Sequence, residues 1–139
     1  VPEEERWLSL LEQKGDRITE ARRAIVKLLV QTERALTPVE IFDLARNTAP
    51  KMGLVTVYRT LELLEELGLV ERVHGAQDCH TYLRAARGHE HLVICNRCGK
   101  AVYFSGDDIS DLIQKVSRES GFVIQEHWLQ MQGLCKDCQ

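Results

Sequence analysis

Cysteine spacing constrains this chain more tightly than any other feature in it. Cys95-x-x-Cys98 and Cys135-x-x-Cys138 each place two thiols on one tight turn, and two such turns brought together form the closed tetrahedral S4 cage that Zn2+ prefers. The alternatives are two disulfides or a redox dithiol. Four cysteines in matched pairs, with no stretch that reads as a secretory signal, favour the metal. The spacer from Gly99 to Leu134 is longer than a simple zinc ribbon uses. A folded unit must lie between the two turns, and the metal would staple its ends.

At 139 residues, 44% of them hydrophobic, and with no apolar run near the roughly 18 needed to cross a bilayer, the expectation is a soluble, cytoplasmic protein of one or two small domains. The net charge of −3 makes no case for nucleic acid by itself. Any such case must come from local patterning.

The first half reads as short amphipathic helices. Trp7, Leu8, Leu10 and Leu11 give an apolar face over residues 3 to 14, with Glu3 to Glu5 at the positive helix end and Gly15 as the stop. Thr19 caps a second helix that carries Ala21, Ile25, Leu28 and Leu29 to about Gln31. Thr37-Pro38-Val39-Glu40 is a capping box with proline at the first helical position, so a third helix runs to about Arg46. Val57, Leu61, Leu64 and Leu67 stripe a fourth helix that ends at Gly68, and Thr56, Tyr58, Arg59 and Glu62 fall on its other face. Leu69–Val73 and Cys79–Leu83 then alternate as a hairpin about His74-Gly75. Helices followed by a hairpin give the winged-helix order, which lays its last helix in the major groove of DNA. The rival is a helical module for protein contacts. Residues 13 to 34 hold Lys14, Arg17, Arg22, Arg23, Lys27 and Arg34 against Asp16, Glu20 and Glu33, a basic patch suited to phosphates.

The second half predicts a β-β-α-β unit. Leu92–Ile94 enters the first cysteine turn and Ala101–Phe104 leaves it. Ile109, Leu112, Ile113 and Val116 mark a helix ended by Gly121, and Phe122–Met131 reads as a long third strand. The fold class is therefore α+β: a winged-helix DNA-binding domain over 1–83, a hinge over 84–88, and a metal-binding domain over 89–139. His89-Glu90-His91 seeds a second metal site, because in an extended segment both imidazoles point to one side and Glu90 to the other. The alternative is a solvated loop.

The run Thr56-Val57-Tyr58-Arg59-Thr60-Leu61, then Leu67-Gly68-Leu69-Val70, Gly88-His89-Glu90-His91, Cys95-x-x-Cys98-Gly99, His127 and Gly133-x-Cys135-x-x-Cys138 resembles the ferric uptake regulator (Fur) family. These landmarks, with Ile18-Thr19 and Arg22 before them, span nearly the whole chain in order. The resemblance implies a homodimeric, metal-dependent transcriptional regulator, most simply a repressor of metal-homeostasis genes, with the C-terminal sheet as dimer interface. It puts Tyr58 and Arg59 on the recognition helix and Arg22 on DNA, with Thr56 and Arg17 beside them. It implies a structural Zn2+ in the four cysteines and a second, regulatory Zn2+ or Fe2+ at His89, His91 and His127.

Glu71 falls where relatives of the zinc-sensing branch carry a hinge ligand, and Cys79 and His80 lie on the wing strand leading to the histidine loop. Cys79 as ligand would favour Zn2+ over Fe2+; its alternative is a small buried hydrophobe. Three departures from the family pattern stand out. Glu33–Thr37 holds no histidine, Tyr103 replaces a carboxylate, and His91 lies four positions rather than three before Cys95. Two other functions fit the ligand inventory: a zinc enzyme with His89, His91 and Cys79 or His127 around an open-site metal and Glu90 as general base, and a metal-buffering interaction module.

Overall fold

The computed structural model describes residues 2–74, 80–88, 90–105, 109–127 and 129–139. Gly75 of the expected His74-Gly75 turn, Cys79 at the start of the expected second hairpin strand, and the expected ligand His89 lie outside the described residues. The N-terminal half consists of α1 (Glu3–Gln13), α2 (Glu20–Gln31), α3 (Pro38–Ala45), α4 (Leu54–Glu66) and the antiparallel pair β1 (Val70–His74) and β2 (His80–Arg84). Local chemistry sets these bounds. The Thr19 hydroxyl accepts from the Arg22 amide at 3.1 Å and starts α2. The Thr37/Glu40 capping box forms in both directions, at 3.0 and 3.1 Å, and starts α3. After α4, Gly68 turns the chain with φ 72°, which a residue with a Cβ adopts only at a cost. The apolar stripes of the four helices meet in one core around Trp7, Leu11, Ile25, Leu29, Ile41, Leu61 and Leu64.

The C-terminal half holds β3 (Glu90–Cys95), β4 (Ala101–Ser105), α5 (Ser110–Ser120), β5 (Gln130–Gly133) and a short 3-10 turn (Lys136–Cys138). The strand order is β4-β3-β5, with β4 antiparallel and β5 parallel to β3. A parallel partner requires a long crossover, which α5 and the segment after it supply. The expected strand over Phe122–Met131 is corrected here, since ladder pairing begins only at Gln130. The residues before it include Phe122 at 69% and Val123 at 86% exposure. α5 is amphipathic yet buries no residue within the chain. Leu112 and Val116 stand exposed along it.

A second, smaller core joins the two halves. Ala35 from the loop between α2 and α3, Val73 and Leu83 from the hairpin, and Leu92, Ile94 and Ala101 from the sheet are all buried in it, with Tyr103 packed alongside. The same loop is held by backbone bonds, with Leu36 and Tyr82 exchanging amide hydrogen bonds of 2.8 and 3.0 Å. Among the described residues, no helix is long and apolar enough to cross a membrane.

Candidate metal centres and nucleic-acid interface

β3 and β4 bring Cys95 and Cys98 onto a turn closed by Cys95 N–H to Lys100 O at 2.8 Å, and β5 delivers Cys135 and Cys138 beside it. Asn96 N–H donates to Gly133 O at 2.9 Å, and the Arg97 guanidinium donates to Cys138 O at 2.7 Å, so the two turns are fastened to each other. The four Sγ atoms lie within 4.8 Å of one another. Cys98 and Cys135 are 3.7 Å apart at sulfur. A tetrahedron with Zn–S bonds of about 2.3 Å has S···S edges of roughly 3.8 Å, so the donor set fits Zn2+. It does not fit disulfides, whose sulfurs stand about 2.05 Å apart, and all four thiols are free.

The proton inventory of the metal-free cluster agrees. Backbone amides of Cys135 and Cys98 pull the Cys95 thiol down to about 5, whereas hydrogen bonding to the Cys135 sulfur, burial and the other two sulfurs push Cys138 up to about 12. Zn2+ binds thiolates, so an ion entering this cluster would displace thiol protons.

A cleft of about 920 Å3 opens between the hairpin and the sheet, and it is lined by Glu71, Arg72, Glu90, His91, Glu126 and His127. His91 is buried on β3, with its ring centroid 5.7 Å from that of His127 and 5.6 Å from that of Phe104. Glu71 on β1 is half-buried. Burial raises its carboxyl above the ordinary value, and the Ala86 amide only partly offsets that. His80 is exposed on β2 and does not line the cleft. Among the described residues, the four cysteines alone form a group of three or more ligand atoms this close together. His91, His127 and Glu71 thus share a cleft without forming a closed cage.

Glu90, which also lines the cleft, is tied up by hydrogen bonds. It accepts from the Arg84 guanidinium at 3.3 Å and from the Arg87 amide at 3.0 Å. Burial would raise its carboxyl, but those donors outweigh burial and hold it below its usual range. A general base working near neutrality needs the opposite shift, so the role of Glu90 in the zinc-enzyme reading has no support here.

In the helical half, Arg17, Thr19, Glu20, Arg22, Lys51, Thr56 and Arg59 line a separate concavity of about 420 Å3. The Arg22 guanidinium is braced by Arg17 O at 2.9 Å and by Asp16 at 3.9 Å. Tyr58, 51% exposed, and Arg59 project from the first turns of α4. Sequence reasoning passed over Lys51, which sits in the turn before α4 and adds a cation to this rim. Its proximity to Gly53 and the start of a striped helix was the available signal.

Residues 13–132 match the model of the Ferric uptake regulator family. The chain is 35% identical over 133 residues to the ferric uptake regulation protein of Bacillus subtilis, covering 92% of this chain and 89% of that one. It is 30% identical over 132 residues to the peroxide-responsive repressor PerR of Staphylococcus saprophyticus, covering 95% and 88%. Among solved structures it is similar to the ferric uptake regulator Fur of Helicobacter pylori, described as having three functional metal binding sites. The TM-score is 0.75 at 25% identity, covering 96% of this chain and 89% of that one.

Proposed function

The chain belongs to the ferric uptake regulator family, and from that premise we propose that it is a homodimeric, metal-dependent transcriptional repressor that binds operator DNA. The observation that carries the reading is the presence of two separate surfaces with different linings. One is a basic rim of Arg17, Arg22, Lys51 and Arg59 beside the exposed Tyr58, and the other is a cleft shared between hairpin and sheet. The rim matches a phosphate backbone locally although the whole protein is acidic. The α4 side chains Thr56, Tyr58 and Arg59 are the base and backbone contacts. The cleft holds the regulatory ion, Zn2+ or Fe2+, on His91 and His127 with His89, and with Glu71 as the ligand from the hairpin side. Imidazole and carboxylate suit both metals.

An ion gripped from both sides stabilises one arrangement of the two halves, and by linkage it raises DNA affinity as DNA raises ion affinity. The homodimer covers α5 and Phe122–Val123, whose apolar side chains find no cover within one chain. Two copies would present two α4 helices to successive half-sites.

The test is a DNA-binding titration under reducing conditions with a panel of divalent ions, run beside metal counting. About one tightly held zinc per chain, plus a removable second ion that switches affinity, is the expected result. Alanine at both His89 and His91 should abolish the switch and leave a folded dimer. Indifference of the unaltered chain to every ion, with the four-thiol site loaded, refutes the reading.

A further inference from the structure

The loop between α2 and α3 lies directly on the first cysteine turn. The Ala35 amide donates to Gly99 O at 2.8 Å and the Ala101 amide donates to Glu33 O at 2.9 Å, with Arg34 bridged to Lys100 between them. The Arg34 guanidinium reaches over the turn and donates to Cys98 O at 2.7 Å, the carbonyl of a zinc-ligating residue. Gly99 has φ +81°, and a Cβ built on it would meet Ala35 O at 3.0 Å, so the approach is close enough to require glycine. One residue further on, Leu36 pairs with Tyr82 of the hairpin, and then Thr37 caps α3, which packs against α4. Residues 33–36 are thus a single extended strip hydrogen-bonded to the zinc turn at one end and to the hairpin at the other.

The turn carrying Cys95 and Cys98 is closed by Cys95 N–H to Lys100 O and Gly99 N–H to Cys95 O, and an ion tying its two thiols to those of the second turn would lower the chain entropy left to it and stiffen it further. Arg34 adds a charge-assisted bond to the outside of the same turn. We propose that the first cysteine turn is the seat of the DNA-reading half, and that Arg34 and Gly99 are positioning residues through which zinc occupancy sets where α4 points. The four-thiol site is then an element of allosteric geometry as well as a staple of the C-terminal unit. That α4 reads DNA rests on the function proposed above; the seat itself does not.

The experiment follows the seam's own donors. Amide hydrogen exchange is measured on the zinc-loaded full chain at Ala35 and Ala101, with Leu29 and Leu64 as core references. Arg34→Ala and Gly99→Ala should each speed exchange at Ala35 and Ala101 by about tenfold, the loss expected when a charged hydrogen bond or the close backbone approach goes. The core amides and the counted zinc should stay unchanged. Chelating the zinc under reductant should release the same two amides while Leu29 and Leu64 remain protected. In parallel, both variants should weaken binding to a DNA fragment that the unaltered chain binds, by similar factors, although Gly99→Ala changes no charge. Unchanged Ala35 exchange in both variants overturns the seat, as does a DNA defect confined to Arg34→Ala, which would make Arg34 a simple phosphate contact. A chain that binds no duplex at all removes the DNA reading instead, and the exchange of Ala35 still decides the seat.

Discussion

Replacing Leu83 with alanine tests whether the two halves are one cooperative body. Leu83 is 2% exposed and belongs to one buried cluster with Val73 from its own hairpin, Ala35 from the α2–α3 loop, and Leu92, Ile94 and Ala101 from the sheet. Leucine-to-alanine changes in cores cost roughly 2–5 kcal/mol, and the cost is larger where the surroundings cannot collapse into the cavity. The neighbours here belong to two separate sheets and a hydrogen-bonded loop, each anchored elsewhere, so a cost of about 3 kcal/mol is expected. In a chain of this size that lowers the melting midpoint by roughly 10 °C. The assay is thermal unfolding of the zinc-loaded protein at fixed protomer concentration, followed by far-ultraviolet circular dichroism and by a colorimetric zinc indicator. Both signals should shift together, because the lost contacts span the boundary. Leu44→Ala, at a side chain 48% exposed on α3, is the control and should stay within about 0.5 kcal/mol. A Leu83→Ala cost under about 1 kcal/mol, or zinc release unmoved while the helices melt early, refutes the shared core.

Arg59→Ala should weaken operator binding by about tenfold or more and leave the melting temperature unchanged, read by fluorescence anisotropy and calorimetry. Glu71→Gln should act with opposite signs on the two forms. Burial raises the Glu71 carboxyl above 4.5, so in the metal-free chain the stability tied to its neutral form is complete below that pH and is lost as pH rises through the folded value. The glutamine variant lacks that falling limb in melts taken across pH 4 to 8. It should also bind the regulatory ion at least tenfold more weakly, as measured by competition with a chelating dye. Cys138→Ser removes one of four sulfurs and should drop counted zinc well below one per chain after dialysis against a chelator, with early loss of β5 protection in hydrogen exchange.

Much of the fold was legible because its signals are local. Capping chemistry at Thr19 and at Thr37/Glu40, helical stripes ending at Gly68, and matched cysteine turns each report on a few neighbouring residues, and each recurs in the structure. The strand over Phe122–Met131 was misplaced for a related reason. Its apolar run suggests a surface in need of cover, but the pattern does not say whether the chain itself supplies that cover, and Val123 stands 86% exposed. The second core was illegible for the complementary reason. Val73 and Leu83 show that one hairpin face is buried, while nothing in their spacing names Ala35 or Leu92 as what buries it. Tyr103, at a position where the family resemblance leads one to expect a carboxylate, packs against that core and donates its hydroxyl to Arg84 O beneath the Arg84 guanidinium.

Under the function proposed above, these features would make the β1–β2 hairpin a lever with one welded end. β1 sends Val73 into the shared core and Glu71, two residues away on the same face, into the cleft. Apolar packing and the zinc turn therefore fix one end of the hairpin against the sheet without the regulatory ion, and the ion has only the other end to close. That division limits how large a response can be. An ion that selects the closed arrangement raises DNA affinity by no more than the inverse of the fraction already closed without it, so a firm seam raises the basal affinity and shrinks the switch. Loosening the seam should do the reverse, lowering metal-free binding more than metal-saturated binding. On the proposed reading, the apolar lining of Ala35, Leu83, Leu92 and Ile94 would set the starting point from which the histidines act, and sensitivity to metal would be a property of both ends of the lever together.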